Sequence, residues 1–233
     1  MNNMKIIAMI PIRLGSTRIP KKNVRYLLDK PLLQYSIELA LGCGLFDTVW
    51  VNTEYEELKT FVDASGASFH KRPHQLASNE ATNRDFTYEF LQKHTCDYLV
   101  MLNTTSPLLR LETAIKFLRL VKSDKFDTIV SVVSERTETF FGDQPLNFTF
   151  DKKINSQFIE PVDKIVWALT AWKREVFMQL QEQGKNPVFG GRLGRFIIPK
   201  DEACDLDTLE DWNIAEGILF SRQNISKERY LIL

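Results

Sequence analysis

The sequence is poor in cysteine and histidine, with three of each in 233 residues, and has no surplus of either charge. Cys43, Cys96 and Cys204 are far apart and odd in number, which excludes a disulfide framework and a thiolate metal site and leaves buried, reduced thiols. Lys plus Arg and Asp plus Glu balance at 30 each. No whole-molecule field therefore exists to hold a nucleic-acid backbone or an anionic membrane, and any anion must be met by a local cluster. The opening Met-Asn-Asn-Met-Lys runs into an apolar stretch of roughly seven residues, too short to span a membrane and without a signal-peptide cleavage pattern, which predicts a cytoplasmic protein. His70 and His74 are four apart, but Pro73 between them breaks a helix and excludes the paired-histidine zinc motif. No repeat or low-complexity tract is present.

What the sequence does contain is the composition of a soluble globular protein, 44% hydrophobic and 26% charged. The length suits one domain covering 1–233 with a large core. Short β-branched runs alternate with amphipathic stretches, the pattern of βαβ units in a parallel sheet. Strands are expected at 5–12, 48–53, 67–70, 97–102 and 127–133, and helices at 31–43, 55–65, 81–94 and 111–122. Too few units can be counted for a closed eight-unit barrel, so an open, Rossmann-like, doubly wound and mostly parallel sheet is expected. With right-handed crossovers, the loops 13–23, 71–79 and 103–110 then face one cleft.

After Val133 the rhythm breaks. The segment 134–164 reads as an insertion, and its Phe140, Phe141, Phe148, Phe150 and Phe158 are too many for a solvated loop. They either fold onto the core or meet another subunit. The α/β pattern resumes with strands at 165–172 and 195–198 and helices at 173–183 and 208–220. Trp167 and Trp172, oddly spaced in a strand, are expected on opposite faces, so that only one can line a pocket.

The loop after the first strand holds Arg13, Arg18, Lys21 and Lys22 with Gly15, Ser16 and Thr17 and no acid. Backbone N–H groups converging at Gly15 suit an anion, and Arg13 and Lys22 could neutralise a triphosphate as its charge shifts toward a leaving pyrophosphate. The loop matches neither Walker A nor the dinucleotide fingerprint. At the other end of the chain Asp205 and Asp207 are two apart, so in extended backbone their carboxylates point the same way and can share a hard cation. The competing reading makes Asp207 a helix cap with Glu210 completing a capping-box pattern. Ser106 lies in Thr-Thr-Ser-Pro-Leu rather than in a nucleophile elbow, and no motif supports a hydrolase triad.

The loop Arg13-Leu14-Gly15-Ser16-Thr17 through Lys22-Asn23 resembles the first motif of the sialic-acid and Kdo cytidylyltransferases. Three further strings match in order: Arg72-Pro73-His74-Gln75-Leu76-Ala77-Ser78-Asn79, Asn103-Thr104-Thr105-Ser106-Pro107-Leu108, and Asp205-Leu206-Asp207-Thr208-Leu209-Glu210-Asp211. The resemblance implies the nucleotide-diphospho-sugar transferase type of fold with an inserted dimerisation arm. It also implies transfer of CMP from CTP to an acidic 2-keto sugar, and a homodimer. It places CTP against Arg13, Gly15, Ser16, Lys22, Asn23, Arg72, Ser78, Asn103 and Ser106. Of these, Arg72 and Ser78 would contact cytosine, and Asn103 stands where the family has Gln. Asp205 and Asp207 become the Mg²⁺ ligands, and Arg13, Lys22 and Asp207 the catalytic set. The family's sugar-site Arg-Pro-Asn-Gly string is absent, and Asp163-Lys164-Ile165-Val166-Trp167-Ala168 stands in its place. There Lys164 either meets a substrate carboxylate or is simply solvated.

Overall fold

The computed structural model describes residues 4–223; the first three and last ten residues of the expected 1–233 domain lie outside the described residues. In chain order the main elements are β1 (Ile6–Pro11), α1 (Leu32–Gly42), β2 (Thr48–Thr53), α2 (Lys59–Ala64), β3 (Ser68–Lys71), α3 (Asn83–Lys93) and β4 (Tyr98–Leu102). There follow α4 (Leu111–Lys122), β5 (Thr128–Glu135), β6 (Val162–Lys173), α5 (Arg174–Glu182), β7 (Leu193–Ile197) and α6 (Leu209–Gln223). The seven strands form one sheet in the order β7-β5-β6-β4-β1-β2-β3. All neighbours are parallel except β6, which runs antiparallel to both β4 and β5.

β1 has no polar residue because both its faces are covered. Ile6, Ala8 and Ile10 pack with Leu33 and Ile37 of α1 and Phe117 of α4, while Ile7 and Met9 pack with Phe86 and Phe90 of α3 and Phe177 of α5. Each such buried Ile, Leu, Met or Phe side chain is worth about 1.5–3 kcal/mol over leaving it in water. The wound sheet brings its loops together at the carboxyl ends of β1, β3 and β4, and the strand order reverses at β1, where ligands are received in sheets of this kind.

Several expectations need correction. The helix expected at 55–65 divides into a 3₁₀ turn, Glu56–Leu58, and the short α2. β6 begins at Val162 and its register against β5 shifts between Ile165 and Thr170. The Ser131 hydroxyl bridges that bulge, accepting the Leu169 N–H at 3.0 Å and donating to the Val166 carbonyl. The irregularity resets the alternation of side chains, so Trp167 and Trp172 lie against the same cluster rather than on opposite faces. Trp172 is buried, its indole N–H donating to the Val188 carbonyl at 3.0 Å, and Trp167 rests on Phe189.

Between β5 and β6 the chain makes an excursion containing a small hairpin, Phe140–Phe141 paired with Gln144–Pro145, that turns at Gly142 with φ of 59°. Phe140, Phe148 and Phe150 gather into an aromatic cluster, with Phe148 centred 5.0 Å from Phe140 and 5.8 Å from Phe150. Ile159 is buried, but Phe141 and Phe150 are 80% and 74% exposed, so these rings do not fold onto the core of their own chain.

Candidate active site

The loop after β1 is pinned at two buried isoleucines, Ile12 and Ile19, with the cationic residues held between and after them. Asn23 fastens it. Its Nδ2 donates to the Arg13 carbonyl at 2.9 Å and its Oδ1 accepts from the Thr104 hydroxyl at 2.5 Å, which ties the loop to the end of β4. Arg13 reaches across the cleft and donates from Nη1 to the Ser78 carbonyl at 3.0 Å and to Asn79 Oδ1 at 2.9 Å. Lys22 Nζ donates to the Leu206 carbonyl and lies 3.7 Å from Asp207 Oδ1, while Arg18 pairs with the same carboxylate oxygen at 2.8 Å. Burial lowers the Lys22 pKa from its ordinary value, and Asp207 and Asp205 work against that fall.

The two aspartates flank Leu206, which is fully buried and whose N–H donates to the Thr105 carbonyl at 2.9 Å. This sets the pair beside the end of β4 and opposite Lys22. Asp205 is exposed at the rim, yet the atoms crowding its carboxyl remove enough water to raise its pKa. Asp207 adds to the rise, whereas Thr105, Lys22 and Arg18 oppose it. Asp207 is not the cap of α6. The capping box lies one residue further on, where Asp211 N–H donates to Thr208 Oγ1 at 3.2 Å and Thr208 N–H donates to Asp211 Oδ2 at 2.7 Å. Asp207 is therefore free to face the cations.

Together these elements enclose an open cavity of about 440 Å³. It brings together Arg13, Ser16, Lys22, Asn23, Arg72, Asn103 and Asp207 among the residues singled out from the sequence. Asp205 stands beside it, coupled to Lys22 and Asp207. Gly15 and Ser78 instead line a neighbouring hollow with Glu54, Glu56 and Glu57. A Cβ on Gly15 would meet nothing within 4 Å, so space does not require glycine there. Ser106 is buried behind the β4 loop, its N–H donating to the Asn103 carbonyl at 3.2 Å. Asn103 itself donates from Nδ2 to the Trp167 carbonyl at 2.5 Å. Lys164 is exposed on β6 and lies outside the cavity lining.

Sequence reasoning gave no role to Arg18, Asn79, Asn83 and Phe86, which also line the cavity. A signal was available for the last two: they are three apart in the first turns of the helix that follows the Arg72–Asn79 loop, so they share the face nearest the cleft. Thr82 caps that helix with Asp85 in a reciprocal box.

The site thus occupies the loop ends of a doubly wound α/β sheet, the class of fold that receives nucleotides at the reversal of strand order. A solved structure described as CMP:2-keto-3-deoxy-manno-octonic acid synthetase complexed with CTP matches it with a TM-score of 0.71, over 94% of this chain and 99% of that one, at 18% identity. A 4-diphosphocytidyl-2C-methyl-D-erythritol synthase from Anaerococcus prevotii matches with a TM-score of 0.65 over 93% of this chain and 99% of that one, at 11% identity. The model of a family described as cytidylyltransferase matches residues 7–192, and the chain belongs to that family. Among curated relatives, the N-acylneuraminate cytidylyltransferase of Escherichia coli O18:K1:H7 is 38% identical over 131 residues, 55% of this chain and 31% of the relative. N-acylneuraminate cytidylyltransferase A of Danio rerio is 33% identical over 91% of this chain and 50% of its own length. The chain therefore spans half or less of these two relatives. A pseudaminic acid cytidylyltransferase of Campylobacter jejuni is 26% identical over 91% of this chain and 95% of its own length.

Proposed function

We propose that the cavity binds CTP and that the chain transfers CMP to the anomeric hydroxyl of an acidic 2-keto sugar of the sialic-acid type, releasing pyrophosphate. The observation that carries this reading is the convergence of Arg13, Arg18 and Lys22 with Asp207 on one cavity in a member of the cytidylyltransferase family. The sugar hydroxyl gives up its proton to solvent as its oxygen attacks the α-phosphorus, the bond from that phosphorus to the bridging oxygen breaks, and the electron pair leaves with pyrophosphate. Lys22 and Arg13 stabilise the negative charge that moves onto the leaving group, in a site already shaped for it.

Asp205 and Asp207 form the donor set for Mg²⁺. Among the described residues no three acidic, cysteine or histidine side chains gather into a metal cage. Two carboxylates nonetheless fit an ion that keeps several waters and takes the rest of its ligands from phosphates. When bound, Mg²⁺ would supply positive charge against the charge that develops on the phosphates. Arg18, which pairs with Asp207, also lines the cavity and would add its charge beside the triphosphate.

The working assembly is a homodimer in which the exposed phenylalanines of the arm are covered by a second copy, and its place of action is the cytoplasm. Among the described residues no helix is long and apolar enough to cross a membrane. The pseudaminic relative, matched along nearly its whole length, favours a nonulosonic acid as acceptor without choosing among them. The test is a pyrophosphate-release assay with each of the four nucleoside triphosphates, Mg²⁺, and a panel of N-acetylneuraminic acid, pseudaminic acid and Kdo. Release is expected with CTP and one acceptor. Release with none, or tight CTP binding without turnover, would replace the enzyme by a nucleotide-binding protein.

A further inference from the structure

Arg72 forms part of the cavity wall and is only 3% exposed. A guanidinium taken this far out of water must have its hydrogen bonds met, and here none is met by a carboxylate. Its Nε donates to Asn52 Oδ1 at 2.8 Å, its Nη2 donates to the Ile12 carbonyl at 2.7 Å and to the Asn52 carbonyl, and its Nη1 donates to the Leu76 carbonyl at 3.4 Å. The Phe86 ring lies 4.7 Å beneath it. Four of the five N–H groups are thus spent on the protein, and one on Nη1 has no partner among the described residues. Burial lowers the Arg72 pKa to about 10, so the group stays protonated at neutral pH and can only donate.

Asn52 supplies two of the four acceptors and is itself entirely buried in β2. Its own amide donor is poorly placed, directed at the Met9 sulfur at 3.2 Å, a weak acceptor. A β-branched or aliphatic residue would suit this buried strand position better. What asparagine adds is a side-chain oxygen that fixes the plane of the guanidinium.

We propose that Asn52 is a positioning residue that sets the nucleobase preference of the cavity, holding Arg72 so that its single unpaired N–H meets the N3 acceptor of cytosine. The proposal rests on the reading that the cavity takes CTP. Uracil carries a hydrogen on N3, so a donor that cannot turn away leaves two N–H groups opposed and both without acceptors. That repulsion, more than any added attraction for cytosine, rejects the wrong base.

The test is calorimetric titration of CTP and of UTP, each with Mg²⁺, into the unaltered protein, Asn52→Leu and Asn52→Asp. The unaltered protein is expected to prefer CTP, and Asn52→Leu to lose about tenfold or more of that preference, chiefly through tighter UTP binding once the guanidinium can turn away from N3–H. Asn52→Asp keeps an acceptor oxygen for Nε and retains the preference, a distinction that a loss of strand stability alone would not produce. If Asn52→Leu fails to fold, Asn52→Ser, whose hydroxyl falls short of Nε, carries the same expectation. An unchanged CTP-to-UTP ratio in the folded Leu or Ser variant overturns the role of Asn52. Failure of the unaltered protein to bind CTP overturns instead the reading of the cavity on which that role depends.

Discussion

The cationic loop after β1 and the excursion between β5 and β6 reverse the usual relation between polarity and exposure. The loop holds four cations, yet the Lys22 side chain is 12% exposed and Asn23 is buried. The excursion is rich in phenylalanine, yet Phe141 and Phe150 stand largely in solvent. The difference lies in the partners each finds. Lys22, Arg13 and Asn23 reach carbonyls, a carboxylate and a hydroxyl contributed by distant segments, so burying them leaves no polar group unmet. The phenylalanines meet chiefly one another, which leaves an apolar surface of the kind that marks an interface. Under the proposed function the first would be completed by an anion and the second by another apolar face.

Four experiments test that contrast, in descending order of effect. Chelation of divalent cations with EDTA is expected to abolish pyrophosphate release, and excess Mg²⁺ to restore it; turnover that survives chelation would remove the metal role of Asp205 and Asp207. Lys22→Ala should lower kcat by about 10²–10³-fold, the usual loss for one pre-positioned charge-stabilising donor, with a small change in Tm. Normal turnover in that variant would withdraw the loop from catalysis. In the arm, Phe141→Ser with Phe150→Ser should convert the proposed dimer into monomer by light scattering at micromolar concentration, with Tm shifted little because both rings are exposed within the chain. A monomeric mass for the unaltered protein would contradict the dimer.

The smallest effect concerns a polar group that is buried and satisfied without any ligand. His70 Nε2 lies 3.0 Å from Glu89 and its Nδ1 lies 2.9 Å from His94 Nε2, with the His94 ring packed against both Trp50 and Phe90. Burial lowers both imidazoles, and the neighbouring His70 helps push His94 down to about 4. Unfolded histidine takes up its proton near pH 6.5. The native state therefore binds fewer protons than the unfolded one below that pH, and stability is lost as pH falls from about 6.5 toward 4. His94→Gln should flatten the curve of Tm against pH between 7 and 5, while CTP affinity at neutral pH stays the same. An equally steep curve would show that the acid sensitivity lies elsewhere.

Much of this architecture could be read from local pattern. The strand 48–53 and the helix 111–122 keep their expected bounds, because an apolar run and a three-to-four spacing carry their own period. The meeting of the loops after β1, β3 and β4 followed from the handedness of crossovers. What could not be read depends on contacts across the sequence. The direction of β6 is set by how the arm returns the chain, and its bulge by a serine on the neighbouring strand. Asp207 and Glu210 have capping spacing, but Thr208 and Asp211 have it equally, and only the start of α6 decides between them. His70 finds His94 on the end of α3 rather than His74 nearby in sequence. Asn52 gave no signal at all, since its value lies in an arginine 20 residues away.

The central claim is that one cavity holds a nucleoside triphosphate between the cations after β1 and the aspartates before α6. Crystals grown with CTP and Mg²⁺ test it most directly. The account predicts triphosphate density within hydrogen-bonding reach of Arg13 and Lys22, with the metal between the phosphates and Asp205 and Asp207. Triphosphate bound instead in the acidic hollow lined by Glu54, Glu56 and Glu57, with Lys22 still on the Leu206 carbonyl and Arg18 still on Asp207, would contradict it.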